Sequence, residues 1–206
     1  MNTNDNINAI INNWKKRPLS WSSISSFEYE KAQWFDKYIL GKVEQPNALM
    51  EFGKRFAEAN EKRQPLAPVM LHTHCEFKLS GVFGGIPLIG FIDTYEPGKV
   101  VIDHKTGSKE WTQKRADDHR QLDMYLFMLY LLYQVDPEQI ECAIEWVPTK
   151  ENNDFTVSIV EPVKVHRFNT KRTRVDILNF GAYIKKVYKE MEDYSRTRLT
   201  ETCKGV

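Results

Sequence analysis

One stretch constrains the fold more than any other: Ile86 to Gly107, which reads IPLIGFIDTYEPGKVVIDHKTG. Ile86 to Ile92 is an apolar run of strand length, and Val100, Val101 and Ile102 form a β-branched run. Between them Glu96-Pro97-Gly98-Lys99 reads as a turn, because the proline ring pre-sets one backbone angle and the glycine accepts a positive φ. Such a chain folds back on itself as an antiparallel hairpin. Pairing around Pro97 and Gly98 sets Asp93 opposite position 102, next to Asp103. Asp103 and Lys105 are two apart on a strand and share a face. The local pattern therefore brings two carboxylates and an ammonium together. Neighbouring carboxylates repel, and one takes up a proton unless a cation intervenes. A hard divalent cation that prefers oxygen ligands, Mg²⁺ or Mn²⁺, resolves the repulsion. The Lys105 ammonium is placed to stabilise charge that builds on a phosphate under attack by water.

The elements around this hairpin follow from periodicity. Ser108 to Arg120 is a charged connection entering a helix that runs to about Gln134, where Asp136-Pro137 ends it. Gln121 and Tyr125 lie four apart and stack on one face of that helix, beside a stripe of Leu122, Leu126, Leu129 and Tyr133. Their amide and hydroxyl suit a base, a phosphate or a metal-bound water. Upstream, Leu19 to Gly41 reads as one core-packing helix with serine caps and Ile24, Phe27, Trp34, Phe35 and Tyr38 at helical spacing. Ala48 to Gln64 is a second helix, ended by Pro65 and Pro68, with Glu51, Glu58 and Glu61 along it. Val69 to Leu79 reads as a strand with His72, His74 and Glu76 on one face. The His-x-His pair lacks a third zinc ligand at convincing spacing, whereas Glu76 is a candidate acid for the metal site. Ile140–Val147, Phe155–Val160 and Val163–Phe168 read as further strands, and Lys171–Tyr194 as a long amphipathic helix.

This order predicts an α/β fold, a central mixed β-sheet flanked by helices. The expected organisation is a polar segment over 1–18 with one small helix, a single domain over 19–194, and a frayed tail over 195–206. Cys75, Cys142 and Cys203 are odd in number and far apart, which argues against a disulfide framework and a four-thiolate cluster. The N-terminus is polar and asparagine-rich, unlike a signal peptide, and the longest apolar run, Leu126 to Tyr133, is too short to span a bilayer. A soluble cytoplasmic protein with no membrane partner is expected. Net charge is only +1, yet from Lys164 onward eleven Lys and Arg stand against five Asp and Glu. A basic C-terminal third beside an acidic remainder fits a protein that grips a phosphate backbone near a metal site.

GFIDTYEPGKVVIDHKTG followed by QLDMY resembles the PD-(D/E)XK nuclease superfamily, in its RecB-type and CRISPR-adaptation-nuclease branch. LSWSSISSFEYEKAQWFDKYILG is similar to that branch's first helical motif. The resemblance covers about Leu19 to Tyr133. It implies a restriction-endonuclease-like core, divalent-metal catalysis and cleavage of DNA. By position, it implies Asp93, Asp103 and the backbone carbonyl of His104 as metal ligands, Lys105 as the catalytic lysine, and Gln121 with Tyr125 as the motif bordering the substrate channel. Iron–sulfur members carry cysteine where this chain has Glu30 and proline where it has Lys31, with a further cysteine cluster near the C-terminus. This chain has neither, so no iron–sulfur cluster is expected. Members often place a histidine or glutamate four residues after a helical glycine. Here Gly53 leads to Ala57, and Glu58 is the nearest substitute.

The expected activity is a Mg²⁺-dependent deoxyribonuclease, foremost an exonuclease in recombination, repair or phage DNA processing, with DNA and a recombination or CRISPR-adaptation protein as partners. Two other readings share these residues. One is a nucleic-acid-binding module or nuclease subunit with impaired catalysis, motivated by Ala57. The other is a structure- or site-specific endonuclease on the same fold.

Overall fold

The computed structural model describes residues 3–43 and 45–204 of the 206-residue chain. The outermost residues of the two terminal segments, 1–2 and 205–206, lie outside the described residues. In chain order the elements are α1 (Thr3–Lys15), α2 (Trp21–Tyr29), α3 (Lys31–Tyr38), α4 (Ala48–Glu61), β1 (His74–Phe83), β2 (Ile86–Glu96), β3 (Val100–Gly107), α5 (Gln113–Asp117), α6 (Arg120–Tyr133), β4 (Glu141–Glu151), β5 (Val157–Ile159), β6 (His166–Thr170) and α7 (Arg174–Lys204). The strands form a mixed six-stranded sheet in the order β1-β2-β3-β4-β5, with β6 paired to β4, and helices flank it. The chain divides into two compact units: one holds residues 1–44, 80–90 and 178–206, the other 45–79 and 91–177.

In the first unit, aromatic packing joins helices far apart in sequence. Trp14 stacks on Tyr188 at 4.8 Å, and Phe27 meets Trp34 edge-on at 4.9 Å. The fully buried Trp34 donates its indole N–H to Ser23 Oγ at 3.0 Å, which satisfies a polar group that burial would otherwise penalise. The stretch expected as one helix from Leu19 to Gly41 is two, split at Glu30. Glu30 adopts φ −149°, its N–H bonds Ser26 O, and its carboxylate caps α3 by accepting from Ala32 N at 3.3 Å. The stretch expected as a frayed tail continues α7 to Lys204. Met191, Ser195 and Leu199 lie buried at helical spacing, and that apolar periodicity runs past Tyr194.

The second unit holds the strands that matter for chemistry. β2 and β3 pair antiparallel, with Thr94 opposite Ile102, Tyr95 opposite Val101 and Glu96 opposite Val100. Three residues, Pro97 to Lys99, therefore form the loop, and Gly98 takes φ +71°. This register is one residue off the sequence-based one: Ile102 faces Thr94 rather than Asp93, and Asp93 and Asp103 are the next positions beyond the paired residues. β3 and β4 pair parallel, from Val100 opposite Glu141 to Gly107 opposite Pro148. A parallel pair needs a crossover, and α5 and α6 supply it. α6 is apolar nearly all round, and Leu122 and Met124–Leu129 are buried. Phe52 and Phe56 of α4 pack with Ala67, Val69, Val147 and Val157 in one apolar cluster.

β1 begins at His74 rather than Val69, and its expected alternation breaks at Glu76, whose φ is +51°. His74 packs its ring against Phe77 at 5.0 Å and Tyr95 at 6.2 Å. A left-handed residue inside a strand resets the side-chain directions, as in a β-bulge.

Candidate active site

A cavity of about 200 Å³ in the second unit collects the residues that the hairpin pattern singles out. Asp93 comes from β2, Asp103, His104 and Lys105 from β3, Glu76 from β1 and Gln121 from α6, while Gly53, Phe56, Ala57 and Asn60 of α4 form the facing wall. Asp103 is completely buried, and Asp93 is partly open to the cavity.

The polar contacts form one chain. The backbone N–H of His104 donates to Asp93 Oδ2 at 2.6 Å. Lys105 Nζ lies 2.8 Å from Asp103 Oδ2 and donates to Gln121 Oε1 at 2.8 Å. Gln121 Nε2 in turn donates to the Tyr125 hydroxyl at 2.5 Å. His119, at the start of α6, sets its Nε2 3.3 Å from Gln121 Oε1 and 3.8 Å from Asp103 Oδ2, with its ring edge-on to Trp111. The His104 side chain makes other contacts: Nδ1 lies 3.1 Å from Asn60 Nδ2, and Nε2 lies 3.4 Å from Glu145 Oε2.

Burial and crowding of like charge shift these groups. Asp93 is pushed up to about 7, first by burial and then by the Asp103 carboxylate, against Lys105 and His104. Burial and then the Glu61 carboxylate raise Glu76. Tyr125 is held well above the ordinary phenol range by burial and by the two aspartates, so its hydroxyl keeps its proton. Burial drives His119 down to about 4, which makes it a neutral imidazole at pH 7. For His104 burial works against the charged form, but Glu145 and Asp93 outweigh it and the pKa rises.

The donor set suits a hard divalent cation. Neither oxygen of the fully buried Asp103 accepts a well-directed hydrogen bond among the described residues, although the Lys105 ammonium lies close to one of them. Buried carboxylate oxygens in that state lack the partner that burial demands. Oxygen ligands select Mg²⁺ or Mn²⁺ over softer metals. Among the described residues no three His, Cys, Asp or Glu side chains are grouped closely enough to enclose an ion by themselves. Two carboxylates are the nucleus of such a site, and further oxygens must come from the backbone, an amide or water.

The structure thus brings Asp93, Asp103, Lys105, Gln121 and Glu76 to one cavity, with Tyr125 behind Gln121. It does not bring Glu58 there. That side chain is half exposed, lies 3.8 Å from Lys54 and lines a separate groove with Glu51, Arg55 and Phe155. Ala57 does face the cavity, but it offers no ligand atom. Sequence reasoning missed Asn60 and Glu145. Gly53, Phe56, Ala57 and Asn60 follow the i, i+3, i+4, i+7 spacing of one helical face, and that spacing is the signal that points to Asn60. Glu145 reads in sequence as one more residue of a strand, and only the parallel register that sets it beside His104 reveals it.

A mixed six-stranded sheet flanked by helices, whose neighbouring strands carry an acid and Asp-x-Lys, is the arrangement of the restriction-endonuclease-like class of α/β proteins. The family model of the PD-(D/E)XK nuclease superfamily matches residues 10–205, and the chain belongs to that superfamily. Its fold is similar to that of a solved structure from Eubacterium rectale called "Putative exonuclease", with a TM-score of 0.51 and 10% identity over 95% of this chain and 88% of that one. A second solved structure, called SSO0001, aligns over 93% of this chain and 85% of its own at 11% identity, with a TM-score of 0.35. No curated protein matches the sequence.

Proposed function

We propose that the protein is a Mg²⁺- or Mn²⁺-dependent deoxyribonuclease that degrades linear DNA from its ends. The observation that carries this reading is that Asp93 and Asp103, from two paired strands, line one cavity with the Lys105 ammonium 2.8 Å from Asp103. Asp93, Asp103 and the His104 carbonyl are the ligands for the metal, and Glu76 is a further acid at the same cavity. When bound, the divalent ion supplies a water of lowered pKa and a counter-charge for the scissile phosphate. Lys105 donates to the non-bridging oxygens of that phosphate, where negative charge grows during attack. Gln121 holds the ammonium at its post, and Tyr125 in turn fixes the Gln121 amide. The neutral His119 adds a hydrogen-bonding group without adding charge.

The exonuclease reading draws support from the name of the Eubacterium rectale neighbour. Recombination, repair and phage DNA processing are the settings that such an activity serves, and a recombination or CRISPR-adaptation protein is the partner it would work beside. Ala57 favours a second reading, a nucleic-acid-binding module with weakened catalysis, because the α4 wall lacks a charged ligand there. Digestion of 5′- and 3′-labelled linear DNA, single- and double-stranded, beside covalently closed circles tests the proposal. Mg²⁺-dependent loss of linear substrate with intact circles supports it. Nicked or linearised circles indicate an endonuclease, and no cleavage with retained DNA binding indicates the binding module.

A further inference from the structure

The α4 wall carries one buried polar side chain whose oxygen has no hydrogen-bond partner among the described residues. Asn60 is only 2% exposed and lines the cavity that holds Asp93 and Asp103. Its amide nitrogen faces His104 Nδ1 at 3.1 Å, while its Oδ1 is buried without a hydrogen-bond partner among the described residues. An unsatisfied buried carbonyl oxygen costs about 1–3 kcal/mol. The side chain is not loosely held. His104 lies 3.4 Å from Glu145, and Glu145 is fixed by the Met70 N–H at 2.8 Å and by Arg167 at 3.1 Å.

The same cavity contains the two buried oxygens of Asp103, which accept no well-directed hydrogen bond among the described residues, although Oδ2 has the Lys105 ammonium 2.8 Å away. Buried oxygens that share a cavity without well-directed hydrogen bonds are the inverse image of a hard cation, which binds through oxygen alone. Ala57, one helical turn earlier on the same face, contributes none.

We propose that Asn60 supplies the oxygen that Ala57 cannot, acting through Oδ1 as a neutral ligand for the divalent cation held by Asp93 and Asp103. This inference rests on the metal-dependent reading above. A neutral amide in place of a carboxylate or imidazole lowers the charge of the site, so metal binding is weaker than a carboxylate there would give. It also makes the residue a tuning point: Asn60→Asp adds one charge at the same reach, and Asn60→Leu keeps the shape and removes the oxygen.

Calorimetric titration of Mn²⁺ into the full-length chain tests it, with the folded state of each variant checked by circular dichroism. Asn60→Leu is expected to weaken Mn²⁺ binding by about 10- to 100-fold, the range over which supporting groups alter metal affinity. Asn60→Asp is expected to bind at least as tightly as the wild type. Asn60→Ser, too short to reach, serves where the leucine variant fails to fold and should match its expected loss. Wild-type affinity in Asn60→Leu or Asn60→Ser overturns the assignment, as does an Asn60→Asp variant as weak as Asn60→Leu. In those cases the wild type still binds Mn²⁺ and the nuclease reading stands. A wild type that binds no Mn²⁺ overturns both.

Discussion

The backbone N–H of His104 donates to Asp93 Oδ2 across 2.6 Å, so β3 supplies both Asp103 and the donor that orients Asp93. One strand therefore controls the geometry of both acids, and Lys105 completes the group two residues along it. The chemistry depends on the β2–β3 register more than on any single contact, because a slip of one residue would turn a whole set of side chains to the opposite face.

Gln121 and Tyr125 act on Lys105 in series. Removing the Gln121 amide leaves the ammonium held by Asp103 alone, whereas removing the Tyr125 hydroxyl only loosens Gln121. Gln121→Ala is expected to lower the single-turnover cleavage rate by about 10- to 100-fold, and Tyr125→Phe by less. Rates at saturating Mg²⁺ on labelled linear DNA check the ranking.

The raised pKa of Asp93 gives two pH effects of opposite sense. Its carboxyl is protonated in the folded, metal-free protein up to about pH 7, whereas the unfolded chain releases that proton near the ordinary 3.8. Between those values the native state binds more protons, so the Asp93 contribution to stability is full below about 4 and is lost as pH rises to about 7. The melting temperature of wild type relative to Asp93→Asn should fall over that interval. Metal binding needs the carboxylate, so Mg²⁺ affinity should rise through about pH 7, with proton release in calorimetry below it.

Arg172 clamps the segment that carries His119 and Gln121. Its guanidinium is buried, pairs with Asp123, and donates to Thr170 Oγ1 and to the carbonyls of Ala116 and His119. Arg172→Met strands Asp123 and both carbonyls and is expected to destabilise the fold by about 3 kcal/mol. Urea denaturation followed by circular dichroism measures it.

Glu76 combines a left-handed backbone with a half-buried acid. Left-handed φ costs about 1 kcal/mol in a residue with a Cβ, and strain of this sort gathers at functional sites. Glu76→Gly is expected to raise stability by about that amount while it weakens Mn²⁺ binding. Thermal melts paired with Mn²⁺ titration would show both changes.

Much of the site was legible because hairpin chemistry is local. Pro97 and Gly98 mark the turn, and period-2 alternation puts Asp103 and Lys105 on one face. The register was missed by one residue, because a two-residue loop and a three-residue loop around Pro97-Gly98 differ only in whether Lys99 pairs. The helix break at Glu30 was hidden because aromatic spacing continues across it, and only the capping geometry reveals the interruption. Glu76 was placed on the right strand, but its bulge depends on tertiary context. Asn60 and Glu145 escaped because their roles arise from contacts across 44 and 22 residues of sequence, to His104 and Arg167 respectively.

Cleavage of linear duplex DNA by the wild type, Asp103→Ala and Lys105→Ala, with and without Mg²⁺, tests the central claim most directly. The expected result is Mg²⁺-dependent degradation by the wild type and a loss of about 100-fold or more in each folded variant. Full activity in both variants, or wild-type cleavage indifferent to Mg²⁺ and to chelator, would contradict it.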